Sequence, residues 1–286
     1  MVEVSIERPA IYVVATPLGN LGDLSPRAAA VLRKSDLILA EDTRHSRKLL
    51  DHIGGSSAAL AAMHEHNERD IAAGLVARIA AERLAVCVIT DAGTPLISDP
   101  GFPLVVQALE AGLPVRPVPG PCALVAALSV SGLDTTRFLF EGFLPAKAHA
   151  REERLTVLAG MPHTTVCYEA PHRILGTLED VVRIVGSARP IALARELTKL
   201  YETVYHGPAG EVLAAVRRDA HGTYGEFVLV IGPGPEQAPD EAEARRVLTV
   251  LLGRFSRRDA IDAATEILRM RRNQLYALSL ELAPEA

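Results

Sequence analysis

Aromatic side chains make up only 4% of the 286 residues, and tryptophan is absent. Stacking of bases on aromatic platforms is therefore a weak basis for any function, which argues against a single-strand-binding module. Positive charge is not in excess either: 30 Lys and Arg stand against 35 Asp and Glu, a formal charge of −5, so no bulk field draws in a polyanion. Any contact with nucleic acid has to use local basic patches. The longest uncharged stretch, residues 117–133, holds three prolines, two glycines and two serines. It falls short of the roughly 20 apolar residues a membrane helix needs. The first ten residues carry Glu3 and Glu7 and no apolar core, so a secretory signal is not expected.

Cysteine is scarce. Cys87, Cys122 and Cys167 are odd in number, far apart and set in apolar surroundings, which predicts reduced, mostly structural thiols in a cytoplasmic protein. His64 and His66 are two residues apart and no HExxH occurs, so a metal is not implied. Neither G-x-G-x-x-G nor G-x-x-x-x-G-K-[ST] is present, which removes the usual cradles for a dinucleotide or a nucleoside triphosphate.

With 49% apolar side chains, the chain is long enough for two domains. Short β-rich runs at 11–15, 37–40, 86–90 and 115–118 alternate with Ala/Leu-rich stretches, the pattern of a largely parallel sheet covered by helices. Ser25 followed by Pro26 is a cap and first-turn proline for a helix linking the first two strands. Further strands are expected at 138–143, 164–168, 191–195, 203–206 and 227–231, with helices after Pro145, Pro171 and Pro208. The short step from 194–198 to 203–205 suits an antiparallel pair, so the second sheet is expected to be mixed. Pro121 opens a helix to about Ser131, where the chain crosses between domains. The breaker-rich segment 232–240 then precedes a helical tail. The organisation expected is an α/β domain over 1–120, a second over 121–233, and a helical basic tail over 240–286.

That tail carries Arg245, Arg246, Arg254, Arg257, Arg258, Arg269, Arg271 and Arg272 against four acids between Ala242 and Tyr276. It is either a solvated helical bundle or a surface that touches nucleic acid. Ser256 with Asp259 three residues on resembles a capping box.

Two turns fall at the carboxyl ends of expected strands, where α/β sheets bind ligands: residues 15–23 and 90–101. In the second, small residues let backbone groups approach a ligand and two prolines hold one shape, which suits an adenosine or an amino-acid end better than a phosphate. A tight turn with Asp99 capping a helix would account for the same residues.

The segments Thr16-Pro-Leu-Gly-Asn-Leu-Gly-Asp, Ala40-Glu-Asp-Thr-Arg, Asp91-Ala-Gly-Thr-Pro-Leu-Ile-Ser-Asp-Pro-Gly, Phe140-Glu-Gly-Phe-Leu-Pro, Tyr168-Glu-Ala-Pro-His-Arg and Ala194-Arg-Glu-Leu-Thr-Lys occur in that order. Together they resemble the ribosomal RNA small subunit methyltransferase I family of the tetrapyrrole-methylase superfamily. The resemblance implies two α/β domains of the tetrapyrrole-methylase type and S-adenosylmethionine as methyl donor. It also implies a homodimer and 2′-O-methylation of a cytidine in the decoding region of 16S rRNA, acting on the 30S subunit. It places the donor against Pro17, Ala92, Gly93, Thr94, Ile97, Cys122, Ala123, Glu169, Leu197 and Glu226.

Methyl transfer to a ribose hydroxyl needs alignment and a proton acceptor. Candidates to act or orient in the reaction are Glu41, Asp42, Arg44, His64, Glu65, His66, Glu169, His172, Arg173 and Glu196. Glu41-Asp-Thr-Arg also fits a helix-start ion pair. Cations available to hold RNA phosphates are Arg44, Arg47, Lys48, Lys147, Arg151, Arg173, Arg195 and Lys199, with Arg257, Arg258 and Arg271 in the tail. Two other readings compete: a tetrapyrrole C-methyltransferase acting on a porphyrin precursor, and a non-enzymatic RNA-binding or assembly protein.

Overall fold

A computed structural model describes residues 4–64, 67–235, 241–268 and 270–282. The features read at Glu65, His66, Arg269 and residues 236–240 lie outside them. Residues 1–233 form one compact unit and residues 234–286 another.

The first unit begins with a five-stranded, all-parallel sheet made of β1 (Ala10–Val14), β2 (Leu37–Ala40), β3 (Ala59–Ala62), β4 (Ala85–Ile89) and β5 (Val115–Val118) in the order β3-β2-β4-β1-β5. Helices α1 (Pro26–Lys34) and α2 (Thr43–His52) cover one face, while α3 (Glu68–Glu82) and α4 (Phe102–Glu110) cover the other. Residues of β1 alternate between the two cores: Ala10, Tyr12 and Val14 face α1, and Ile11 faces α4. Burial on both sides is why β4 reads as the unbroken apolar run Ala-Val-Cys-Val-Ile. The thiols of Cys87 and Cys167 are pushed upward by burial, Cys87 to about 12, and all three cysteines are free.

The expected strands appear with ends moved by a residue at most in this sheet, and the Ser25 cap is made, its Oγ accepting from the Ala28 N–H at 3.0 Å. One strand was not anticipated. β3 is the alanine-rich ALAA, helical by propensity, and it is drawn into the sheet by pairing along the free edge of β2.

The second sheet joins β6 (Phe138–Phe143), β7 (Thr164–Glu169), β8 (Pro190–Arg195), β9 (Thr203–Pro208) and β10 (Phe227–Ile231) in the order β6-β7-β10-β8-β9. Only β6 and β7 run parallel, so the sheet is mixed, and β8 and β9 form the expected antiparallel pair. On one face lie α6 (Ala148–Ala159), α7 (Ile174–Asp180) with a π-helical turn after it, and α8 (Ala209–Arg218). On the other lies α5 (Ala123–Val130), whose Leu124, Ala127 and Leu128 pack on Val166, Ala192, Val228 and Val230.

In the second unit α9 (Glu241–Leu252), α10 (Arg257–Leu268) and α11 (Arg272–Leu282) enclose a core of their own, including Ala244, Leu248, Ile261, Ala264 and Leu275. Ser256 caps α10 as its spacing suggests, accepting from the Asp259 N–H at 3.2 Å and donating to the Asp259 carboxylate at 2.6 Å.

Candidate functional site

In the first sheet β1 and β4 are neighbours, yet the helices that follow them leave to opposite faces. That divergence opens a crevice at their carboxyl ends, the place where open α/β sheets bind ligands. The two loops there are joined by a pair of backbone bonds, Thr16 N–H to Gly93 O at 2.8 Å and Gly93 N–H to Thr16 O at 3.1 Å. Thr16 adds a side-chain bond to the Thr90 carbonyl at 3.1 Å. Thr94 donates to the Pro121 carbonyl at 3.0 Å, tying the crevice to the start of α5. Gly93 has φ +89°, a left-handed conformation, and a Cβ there would stand 3.2 Å from a methyl of Leu18.

The crevice opens into a cavity of about 360 Å³ whose other wall comes from the second sheet. Leu18, Ile97, Ala123, Leu197, Phe227 and Val228 give it apolar sides. Tyr168 stands among them, with Phe140 and Phe143 edge-on to its ring at 5.0 and 5.6 Å. Burial pushes the Tyr168 hydroxyl up to about 12, so it remains protonated.

Three carboxylates crowd the remaining side. Because β2 and β4 pair with Ala40 opposite Ile89, the residues just past their ends, Glu41 and Thr90-Asp91, meet. The Thr90 hydroxyl donates to Glu41 at 2.8 Å and is also bonded to Asp99. Burial, together with the like charges of Glu41 and Asp91, lifts the Asp99 carboxyl to about 7 against the pull of that Thr90 bond. Asp91 is raised too, by burial first and then by Glu41. Asp99 does not cap a helix: α4 starts after Gly101, whose φ is +121°, with no side-chain cap.

The expected donor contacts Ala92, Gly93, Thr94, Ile97, Ala123, Glu169, Leu197 and Glu226 all line this one cavity, as does Glu41. Pro17 is buried beside it between Thr16 and Leu18, and Cys122 is the cap residue of α5. Neither is among the lining residues. Glu41, Asp91 and Asp99 were not singled out as a carboxylate cluster by the sequence. The signal was an acid within two residues of the end of each of two strands, but it becomes useful only once β2 and β4 are known to be neighbours.

Several polar candidates turn out to be engaged in holding the fold. The Glu169 carboxylate accepts from the Ala170 N–H at 2.7 Å, the Thr177 hydroxyl at 2.6 Å and both the Nε and a terminal nitrogen of Arg173, at 2.8 and 2.6 Å. Its side chain is fully buried, so it anchors Arg173 and the Ala170-Pro171 wall. Arg151 is corrected as a phosphate ligand: only 8% exposed, it pairs with Asp180 at 2.7 Å. Arg195 is likewise buried, bonded to the His221 carbonyl at 2.6 Å.

Glu196, at φ +52°, holds Lys199 at 2.8 Å, and Lys199 also reaches Glu226 at 3.0 Å. Lys199 lies across Gly19, where a Cβ would come within 2.3 Å of its Cγ. This salt-bridged clasp joins the first loop of one sheet to the β8–β9 loop of the other, beside the cavity. His172 and Lys147 are exposed. Arg44, Arg47 and Lys48 lie together on α2. His64 donates its backbone N–H to Asn67 at 2.9 Å and is not at the cavity. Of the tail residues, Arg258 and Arg271 are exposed and Arg257 is half-buried.

The description of Tetrapyrrole (Corrin/Porphyrin) Methylases matches residues 10–213, which defines the class: the chain is a methyltransferase of the tetrapyrrole-methylase type. The description of an RsmI C-terminal HTH domain matches residues 238–283. "Ribosomal RNA small subunit methyltransferase I" of Xylella fastidiosa Temecula1 is 50% identical over 268 residues, covering 93% of this chain and 97% of its own length. The protein of the same name from Escherichia coli O157:H7 is 45% identical over 272 residues, 95% of this chain and 94% of its own. The chain belongs to the ribosomal RNA small subunit methyltransferase I family. Uroporphyrin-III C-methyltransferase from Thermus thermophilus, solved with S-adenyl homocysteine, shares the fold at a TM-score of 0.52 and 19% identity, over 78% of this chain and 97% of that one. That likeness shows the fold alone; with the relatives at 45–50% identity named ribosomal RNA small subunit methyltransferase I, a porphyrin-precursor activity is not favoured.

Proposed function

We propose that this chain transfers the methyl group of S-adenosylmethionine to the ribose 2′-hydroxyl of a cytidine in the decoding region of 16S rRNA, on the 30S subunit. The observation that carries the reading is the two-sided cavity, with Glu41, Asp91 and Asp99 on one side, apolar walls on the other, and no Lys or Arg among the lining residues. A ligand that is cationic at one end and a flat heterocycle at the other suits such a site. Phosphates and a porphyrin polycarboxylate do not.

S-adenosylmethionine supplies a methyl group on a sulfonium, open to in-line attack by an oxygen. The chain's part is to hold and to exclude water. The backbone at Ala92, Gly93 and Thr94 gives close contacts, and Ile97, Ala123, Leu197 and Val228 enclose the heterocycle. Pro17 and Cys122 support those loops from behind. Asp91 and Asp99 face the cationic end, and Glu226 borders the adenosine side. Glu41, at the cavity edge nearest α2, accepts the proton of the ribose hydroxyl.

The protein acts in the cytoplasm, and as a homodimer, the latter supported by the exposed Phe102, Leu200 and Tyr201. No described helix is long and apolar enough to cross a membrane. The test is incubation with labelled donor and either 30S subunits, protein-free 16S rRNA or a uroporphyrinogen-type acceptor. Label is expected in 2′-O-methylcytidine from the subunits. Label in the porphyrin acceptor, or none in RNA, would refute the reading, and light scattering would test the dimer.

A further inference from the structure

Helix α2 starts two residues after Glu41, capped by Asp42. Its residues Arg44, Arg47, Lys48 and Asp51 recur at i, i+3, i+4 and i+7, so they form one stripe. The opposite side, Ser46, Leu49 and Leu50, is buried. Together with Thr43 the stripe lines a shallow depression of about 490 Å³. Three cations thus share the open stripe with one carboxylate, Asp51, while Asp42 stands at the helix start. Arg44 rests on Asp42 at 3.1 Å with 91% of its side chain exposed, and this contact holds the Asp42 carboxyl down to about 2. Arg47 and Lys48 make no ion pair among the described residues. Their situation contrasts with that of Arg151, Arg173 and Lys199, each of which is committed to an internal carboxylate.

We propose that the exposed stripe of α2 is a ledge for the backbone phosphates of the RNA strand that delivers its ribose to the cavity. The inference rests on the RNA methyltransferase reading and extends it by assigning the place and chemistry of the strand's entry. The stripe from Arg44 to Asp51 is about 10 Å long at the helical rise, room for consecutive phosphates of one strand. Its first cation lies three residues from Glu41, which lines the cavity, so a phosphate held there sets the neighbouring ribose toward Glu41. Arg44 exchanges Asp42 for a phosphate and can bind it through two parallel N–H donors. Asp51 ends the ledge by repulsion. The contacts are to phosphate and carry no base preference.

The test is the double variant Arg47→Ala/Lys48→Ala, read by donor calorimetry, by kcat/KM on 30S subunits and by equilibrium binding to the same subunits without donor. Both positions are exposed, so circular dichroism and donor affinity should stay as in the unaltered protein. Affinity for subunits and kcat/KM should each fall about tenfold. The slope of log affinity against log salt should become shallower by about 1.4, at roughly 0.7 per phosphate contact for a single strand. Lys48→Arg in place of Lys48→Ala should recover part of the loss. Unchanged subunit affinity and salt slope in the folded double variant would overturn the ledge even if methylation is intact. If the unaltered protein methylates no RNA, the parent reading fails, and subunit binding still decides the ledge by itself. Loss of binding to anionic vesicles with no change toward subunits would also overturn it.

Discussion

The placement of Asp99 in the cavity predicts that donor binding is a function of pH near neutrality. With its carboxyl lifted to about 7 by burial and by Glu41 and Asp91, the group is half ionised at pH 7 and only about one-eleventh ionised at pH 6. A cationic ligand beside it binds the ionised form. Affinity should therefore rise with pH through this window, the sign being that of an acid whose negative form is favoured by the ligand. Between pH 6 and 7 the ratio of ionised fractions predicts an increase of about fivefold, and over this range an α-amino group stays largely protonated. Titration calorimetry in buffers of different ionisation enthalpy would report both the affinity and the proton released on binding.

Asp99→Asn supplies the control. The amide cannot ionise, so the variant should bind donor weakly and almost independently of pH. In the empty protein the raised carboxyl costs stability as pH rises from the ordinary carboxylate range through 7. Asp99→Asn should accordingly raise Tm at pH 8 and leave it nearly unchanged at pH 4. A flat donor affinity between pH 6 and 7, with Asp99→Asn equal to the unaltered protein, would refute the assignment of Asp99 to the cationic end.

Gly93→Val should leave the chain folded by circular dichroism yet weaken donor binding at least about tenfold. A side chain at φ +89° costs about 1–2 kcal/mol and would push Leu18 from the wall, and calorimetry showing full affinity would count against the pocket's placement. Gly19→Ala should expel Lys199 from its seat and weaken donor binding a few-fold, and Lys199→Ala should do the same. If the clasp acts as one unit, the two changes combined do no more than either alone, whereas additive losses would show that it does not. Glu169→Gln should lower stability by about 3 kcal/mol, because Arg173, only 15% exposed, loses its charge partner. A normal melting temperature with abolished methyl transfer would instead make Glu169 a direct participant.

Where the fold was legible, the reason was burial. Strands with both faces covered, such as Ala85–Ile89 and Phe227–Ile231, read as short apolar runs whatever their neighbours. Ala59–Ala62 did not, because its edge position depends on β2 and its residues prefer helix. The loop 90–101 was legible for a related reason: two of its left-handed positions, Gly93 and Gly101 at φ +89° and +121°, carry the residue that adopts them without strain. Charged candidates were much less so. Whether a guanidinium meets RNA or a carboxylate is decided by partners remote in sequence, Asp180 for Arg151 and Glu226 for Lys199. The carboxylate cluster had the same difficulty, since Glu41 and Asp91 meet only through the pairing of β2 with β4.

A net charge of −5 becomes compatible with an RNA substrate once its placement is considered. Carboxylates line the cavity, and the exposed cations of α2 lie on the helix that starts two residues after Glu41 of its lining. Phosphates are therefore repelled from the donor's place and attracted to the adjacent ledge. This arrangement couples the two ligands. A donor bearing a sulfonium neutralises part of the cavity's charge and lowers the repulsion felt by an arriving strand, whereas the demethylated product, a neutral sulfide, does so by one charge less. Subunit affinity should then be higher with S-adenosylmethionine than with S-adenosylhomocysteine, by about fivefold for a coupling of ~1 kcal/mol. Linkage requires subunits to tighten S-adenosylmethionine relative to S-adenosylhomocysteine by the same factor. The direction also favours release of RNA after transfer, since the reaction removes the charge that admitted it. Equal subunit affinity with either ligand bound at saturation would mean that the cavity's carboxylates do not act on the RNA, and that the ledge alone governs its approach.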